Sequence, residues 1–185
     1  MPSPIGHVLA GVSAAWAGDA IDRRRSPTRL VMISAVLAAI ADVDLLLPRY
    51  HRSITHSLVA VVFVLIVSAL VTGEVSVRHP RAVLICTAAY ASHLLLDWLG
   101  ADTLRPYGLQ MLWPFDARFF VSGLDLFAQT ERRHPFSAPT LYQNLRAAAQ
   151  EVAILGPVAA ALWLIRVKAL ARLPAEVTRR DHAAQ

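Results

Sequence analysis

Residues Ser53–Gly73 read SITHSLVAVVFVLIVSALVTG, a run without a single Asp, Glu, Lys or Arg. A helix needs roughly 17–25 such residues to cross the hydrocarbon of a bilayer, and this stretch meets that length unaided. Four further blocks without those residues flank it: Pro2–Gly18, Leu30–Ala41, Ala82–Leu96 and Val152–Ile165. The second becomes long enough if it continues through Asp42 and Asp44 to Leu47. The fourth does so by running from Pro80 to about Gly100, and the fifth by placing Gln150 or Arg166 at the interface, where long side chains snorkel. None carries a clean polar stripe at helical period. The pattern predicts an all-α fold, a polytopic membrane bundle of about five spans.

Composition argues the same way. The chain has 185 residues, 56% hydrophobic and 17% charged, with a mean hydropathy of +0.47. Soluble domains carry about 25% charged residues, so a soluble helical bundle of this size lacks the charge to coat its outside. Eight glycines, eleven prolines and one cysteine exclude collagen, low-complexity chains and disulfide scaffolds. The net charge of +5 comes from arginines, with Lys168 the single lysine, set between apolar blocks as loop charges are. That placement points to a membrane and away from nucleic acid.

The N-terminal block has no positive region before it and no evident cleavage site, so a retained helix is expected rather than a signal peptide. The short basic loops, Arg23–Arg29 and Arg78–Arg81, and the basic C-terminus predict a cytoplasmic C-terminus and an extracytoplasmic N-terminus. One membrane-embedded domain is expected over 1–166, followed by a basic polar tail, 167–185. Within that domain, segment 98–150 holds nine of the fourteen aromatics, interleaved with charges such as Arg118 and Asp125. Such a segment suits the headgroup region; a loop covering the helix ends is a compatible reading.

Local signals place the helix ends. Ser3-Pro4 reads as an N-cap with proline in the first turn. Ser53 or Thr55 can cap the third helix, Pro80 can open the fourth and Gly100 can stop it. Ala10, Ala14 and Gly18 form a small-residue row, as do Ala35 and Ala39, of the kind that lets helices approach closely in lipid.

Ionisable groups in such helices are costly and therefore paired or functional. Traced up and down the helices, His7, Asp42, Asp44, His51, His56, His93 and Asp97 all fall at one membrane face. His93 and Asp97, at i and i+4, share a helical face and can grip one ion. Asp42 and Asp44 are about 200° apart on an α-helix, so the helix must end there or each must serve a different ion. His51 is expected in the loop before the third helix. Seven candidates suit two ions, or one ion with outlying carboxylates orienting the histidines. Mixed imidazole and carboxylate donors favour Zn, with Mn or Fe as alternatives. The plainer reading pairs Asp42 or Asp44 with Arg49 or Arg52. His79, His134 and His182 lie away from the set.

Several motifs carry a family resemblance: Pro4-Ile5-Gly6-His7, Ala41-Asp42-Val43-Asp44, His51-Arg52-Ser53-Ile54-Thr55-His56-Ser57, His93-Leu94-Leu95-Leu96-Asp97, and Tyr107-Gly108 followed by Leu112-Trp113-Pro114-Phe115. Together, over roughly residues 4–120, they resemble the YdjM-like, LexA-regulated membrane-bound metal-dependent hydrolases. The lead Asp102-Thr103-Leu104-Arg105-Pro106 is longer than that pattern. The resemblance implies an inner-membrane helical protein with a metal-dependent hydrolase site, and a distant relation to zinc-dependent phospholipase C and P1-type nucleases. It implies His7, Asp42, Asp44, His51, His56, His93 and Asp97 as metal-site residues.

The expected chemistry is hydrolysis of a phosphoester on a lipid or lipid-linked substrate at the membrane face. Arg52 is the expected phosphate clamp, and Asp44 or Asp97 the general base. The alternative is a non-catalytic metal-binding membrane protein, a sensor or scaffold with a closed coordination shell. Transport is disfavoured, since the middles of the spans, such as Val59–Leu70 and Val83–Ala89, hold almost no polar residues.

Overall fold

Ser3 and Pro4 do begin the first helix, but Ser3 does not cap it with its own side chain. A computed structural model describes residues 2–46, 51–72 and 80–172, apart from 104, 106, 132, 133 and 135. Its helices are α1 (Pro4–Asp22), α2 (Thr28–Ala39), a 3-10 helix (Ile40–Leu46), α3 (Leu58–Thr72), α4 (Arg81–Leu99) and α5 (Ala138–Ala171). No named strand occurs among the described residues. Arg49, His79, His182 and residues 173–185 of the expected tail lie outside them, while 167–171 continue α5.

α4 is the central helix. It supplies Ile85 and Cys86 to a cluster with Ala15 and Leu30, Leu96 to one with Ala10 and Phe127, and Tyr90 and Leu94 to one with Ala41. α1 packs on α2, α4 and α5, whereas α3 packs on α4. α1 and α2 approach closely where Gly11 meets Ser34 and Ala38, with Ala15 buried one turn further along α1. This row lies one position along from the Ala10–Ala14–Gly18 row expected; Gly18 faces Ile85 of α4 instead.

Among the described residues, two helices are long and apolar enough to cross a membrane, α4 and α5. α4 is half enclosed by its neighbours, and α5 is almost wholly exposed along its apolar length. The apolar run at Ser53–Gly73 yields only the 15-residue α3, because residues 51–57 form turns that use their side chains as hydrogen-bonding groups. Ser57, rather than Ser53 or Thr55, caps that helix, its Oγ accepting from Ala60 N–H at 3.2 Å. The expected block Val152–Ile165 grows into the 34-residue α5. There Asn144 Oδ1 accepts from Glu131 N–H and Gln150 Oε1 from Ala128 N–H, so polar residues of the first turns bind the preceding loop.

That loop closes the end of the bundle. Ala101 N–H donates to Phe127 O and Leu126 N–H to Leu99 O, which fastens it to the end of α4. Leu109 and Phe120 exchange backbone hydrogen bonds across it. Gly108 has φ 94°, and any Cβ there meets the Phe120 backbone, so the position needs glycine. Phe127 is buried, while Phe115 and Phe136 are fully exposed, as suits aromatics of a headgroup region.

Candidate metal centre

Four side chains converge where α2, α3 and α4 meet. One donor atom each from Asp42, His56, His93 and Asp97 lies within 4.8 Å of all the others. His56 Nε2 is 3.1 Å from His93 Nε2, and Asp97 Oδ2 is 3.2 Å from both. Asp42 Oδ1 completes the group at 3.8 Å and 3.9 Å from the two histidines. Tetrahedral donors around one zinc-sized ion sit about 3.4 Å apart, so the triangle already has that spacing and Asp42 needs only a small closing movement.

Both histidines are anchored through the other ring nitrogen. His93 Nδ1 donates to Ala38 O at 2.7 Å, and His56 Nδ1 donates to Asp44 Oδ2 at 3.0 Å. Each anchor can only accept, which leaves Nε2 facing the cluster, as in carboxylate–histidine–metal arrangements. His7, fully buried, stacks on His93 with ring centroids 3.8 Å apart, and its Nε2 lies 3.5 Å from Asp97 Oδ1. Neither nitrogen of His7 and neither carboxylate oxygen of Asp97 has a hydrogen-bond partner in the described structure. Buried polar atoms left so are rare and call for a partner, an ion or ordered water. The donor set therefore fits a divalent cation.

Asp42 and Asp44 divide their work because the chain changes helix type. α2 stops at Ala39 and the 3-10 helix turns Asp42 toward the cluster. Asp44 instead accepts from His51 Nδ1 (2.7 Å), Arg52 N–H (3.1 Å), Thr55 Oγ1 (2.5 Å) and His56 Nδ1. Burial alone would raise its pKa, but these bonds hold the carboxyl well below the usual range. Burial alone would depress His56, yet the carboxylates of Asp42, Asp44 and Asp97 around its ring raise it well above an ordinary imidazole. The cluster thus attracts positive charge.

Arg52 is placed differently from the phosphate clamp expected. Its backbone takes a left-handed φ of 66°, and Nη1 pairs with Asp102 Oδ2 at 2.5 Å. Asp102 Oδ2 also accepts from Gly108 N–H at 2.6 Å, and Arg52 O accepts from Gln110 N–H. Arg52 and Asp102 therefore latch the turn at 51–57 to the loop. His51 stands outside the four-residue group, partly exposed, and His134 is exposed.

Two acids missed in the sequence lie buried beside α1. Glu151 of α5 accepts from Ser3 N–H (2.6 Å), Gly6 N–H (3.1 Å) and Ser3 Oγ, capping the helix that carries His7. Asp19, at the far end of α1, accepts from Ser26 N–H and Oγ and from the guanidinium groups of Arg81 and Arg166.

The model of the YdjM inner membrane protein family matches residues 1–172. The chain belongs to the YdjM family. No curated protein matches it, and no solved structure does, so the expected relation to phospholipase C and P1-type nucleases is not shown. In this YdjM chain every polar residue of His51-Arg52-x-x-Thr55-His56-Ser57 has a task. His51 and Thr55 hold Asp44, Arg52 holds Asp102, His56 enters the cluster, and Ser57 caps α3. The long lead before Tyr107-Gly108 contributes the latch acid, Asp102.

Proposed function

We propose that the protein is a membrane-bound metal-dependent hydrolase acting on a phosphoester of a lipid or lipid-linked substrate. One observation carries the reading: Asp42, His56, His93 and Asp97 converge with both histidines pre-oriented through Nδ1. Zn suits this donor set, with Mn and Fe as alternatives, and one ion suits the four donors better than two. When bound, such an ion lowers the pKa of a water toward neutrality and stabilises charge on phosphoryl oxygens. Asp44 keeps the His56 ring in register, and the His7 ring packs along His93. Asp97 serves as a ligand in this reading; Asp44, already accepting four hydrogen bonds, is poorly suited to act as a general base. Asp42, the least buried of the four, marks the side from which a headgroup enters.

Burial of the His56, His93 and Asp97 side chains favours the second reading, a closed non-catalytic site in a sensor or scaffold. For the membrane itself we propose that all five helices are embedded. Exposed Met32, Ile33 and Val36 on α2 and Val62, Phe63 and Leu70 on α3 support this, and the short arginine loops support a site on the extracytoplasmic face of the inner membrane.

Metal analysis of the detergent-purified protein beside Asp42→Ala and His93→Ala tests both readings. We expect about one equivalent of metal in the wild type and a loss of at least tenfold in each variant, with cleavage of bis(p-nitrophenyl) phosphate or phospholipid vesicles by the wild type alone. Bound metal without cleavage selects the closed site. No metal in any of the three ends both readings.

A further inference from the structure

At the opposite end of the bundle, α1 and α5 leave a notch that the cluster does not use. α1 stops at Asp22 and the chain reverses at Arg23, held at a left-handed φ of 52° by its N–H bond to Asp19 O. α5 runs alongside in the same direction: Glu151 meets the start of α1, and Arg166 meets Asp19 near its end. Just beyond, Ala20, Arg23, Ile165, Lys168, Ala169 and Arg172 line an open notch of about 250 Å³. Ile165, Lys168, Ala169 and Arg172 follow at i, i+3, i+4 and i+7, so they share one face of α5. The floor is alanine and the walls are cationic.

No acid lines the notch. The two nearest in sequence are engaged elsewhere, Asp19 by Arg81 and Arg166, and Asp22 by Arg81 Nε at 3.2 Å. The side chains of Arg23, Lys168 and Arg172 form no ion pair with any described residue. Cations at helix C-termini are favourable in their own right, because each terminus carries roughly half a negative charge. Two such ends offset about one of the three positive charges, so a surplus of about two remains. That surplus matches an anion with several oxygens, which can accept from two guanidinium groups and an ammonium together. Ile165 on the notch face and Leu164 and Val167 around the helix are exposed and apolar, giving acyl chains a surface along α5 at the same level.

We propose that this notch binds a phosphate group, and specifically the headgroup of an anionic phospholipid lying against α5. It is independent of the metal site and of any activity there. The test follows the thermal unfolding of the full-length protein in a non-ionic detergent. It is titrated separately with dihexanoyl phosphatidylglycerol, dihexanoyl phosphatidylcholine and inorganic phosphate. Phosphatidylglycerol is expected to raise the midpoint saturably, and phosphatidylcholine to leave it in place. Each basic residue contributes about fivefold in affinity at such a surface, so R23Q/K168Q/R172Q should need roughly 100-fold more phosphatidylglycerol. The exposed Arg118→Gln serves as the control and should keep the wild-type response. An equal, variant-sensitive response to inorganic phosphate supports the phosphate site and overturns the lipid assignment. A shift that survives in the triple variant, or no shift with either anion, overturns the proposal. The exposed positions let the triple variant fold, which its unliganded midpoint and metal content verify.

Discussion

Gly11→Ala sets two physical effects of opposite sign against each other. Alanine is favoured over glycine in a helix by about 0.8–1 kcal/mol, so propensity alone predicts a more stable protein. The packing predicts the reverse. A Cβ on Gly11 would lie 2.7 Å from Ala38 Cβ and 3.0 Å from the Ser34 carbonyl carbon, and closer still to the Ser34 oxygen. Carbon atoms in contact prefer about 3.5–4.0 Å, so α2 must retreat by nearly 1 Å. Two of the three obstacles are backbone, which cannot swing aside as a side-chain tip would. Overpacking of this kind costs about 1–3 kcal/mol, occasionally more. The retreat also draws Ala38 O from His93 Nδ1, now 2.7 Å apart, toward the distance at which that bond, worth about 1 kcal/mol, is lost.

The net expectation is a loss of about 2 kcal/mol. On the scale of soluble domains of this size that lowers the unfolding midpoint by roughly 4–8 °C, with a fall in bound metal as His93 loses its anchor. Gly156→Ala is the matched control. Beyond its chain neighbours its Cβ would meet only Val152 Cγ1, at 3.9 Å; the helix propensity gained by alanine is offset by the Cβ standing before Pro157 in a helix, so the midpoint should move by the equivalent of less than about 1 kcal/mol. The measurement is circular dichroism during heating of both variants in detergent, with metal content read on the same samples. A midpoint that rises in Gly11→Ala, or falls no further there than in Gly156→Ala, would refute the close approach of α1 and α2, and with it the account of how His93 is held.

Three further substitutions probe the polar contacts that sequence reading missed. Glu151→Gln removes the charge from a buried acceptor of three bonds and should cost about 2 kcal/mol; Ser3→Ala should cost about 1 kcal/mol. Because both act on one contact, the double variant should lose measurably less than the two losses added in thermal unfolding, and strict additivity would count against the cap. Asp102→Ala removes one carboxylate that pairs with Arg52 at a site where both side chains are nearly buried, and should cost about 3 kcal/mol. Limited trypsin digestion should then cut at Arg118 while the wild type resists; unchanged protection would show that the latch does not hold the loop.

Reading scarce charge in an apolar chain located the cluster because helix direction alone decides which end a residue reaches. His7 opens α1, Asp42 follows α2, His56 precedes α3, and His93 and Asp97 end α4, so alternation brings all five to one end before any distance is known. The sharing of roles between Asp42 and Asp44 was not legible in that way, since it depends on where an α-helix tightens into a 3-10 helix. Nor does an apolar run state its own secondary structure: Ser53–Gly73 has the composition of one span, yet its first five residues are a turn engaged with Asp44 and Ile54.

Scarcity has a further limit. It says that a buried acid has a partner, and not which kind. Asp97 faces three histidines, Asp19 two arginines, and Glu151 the backbone N–H groups of another helix. The partners that define Asp19 and Glu151 lie up to 148 residues away in the chain, and no local spacing announces them. For Asp19 one signal existed, because Arg81 and Arg166 border apolar helices in which a lone guanidinium is as costly as a lone carboxylate. Pairing the scarce cations with the scarce acids would have found that contact. Glu151 has no such signal, since a helix N-terminus is an anion site that carries no charged side chain at all. Its position shows why the bundle needs α5: the helix least enclosed by protein supplies the carboxylate that holds the start of α1, and through it His7, against the cluster.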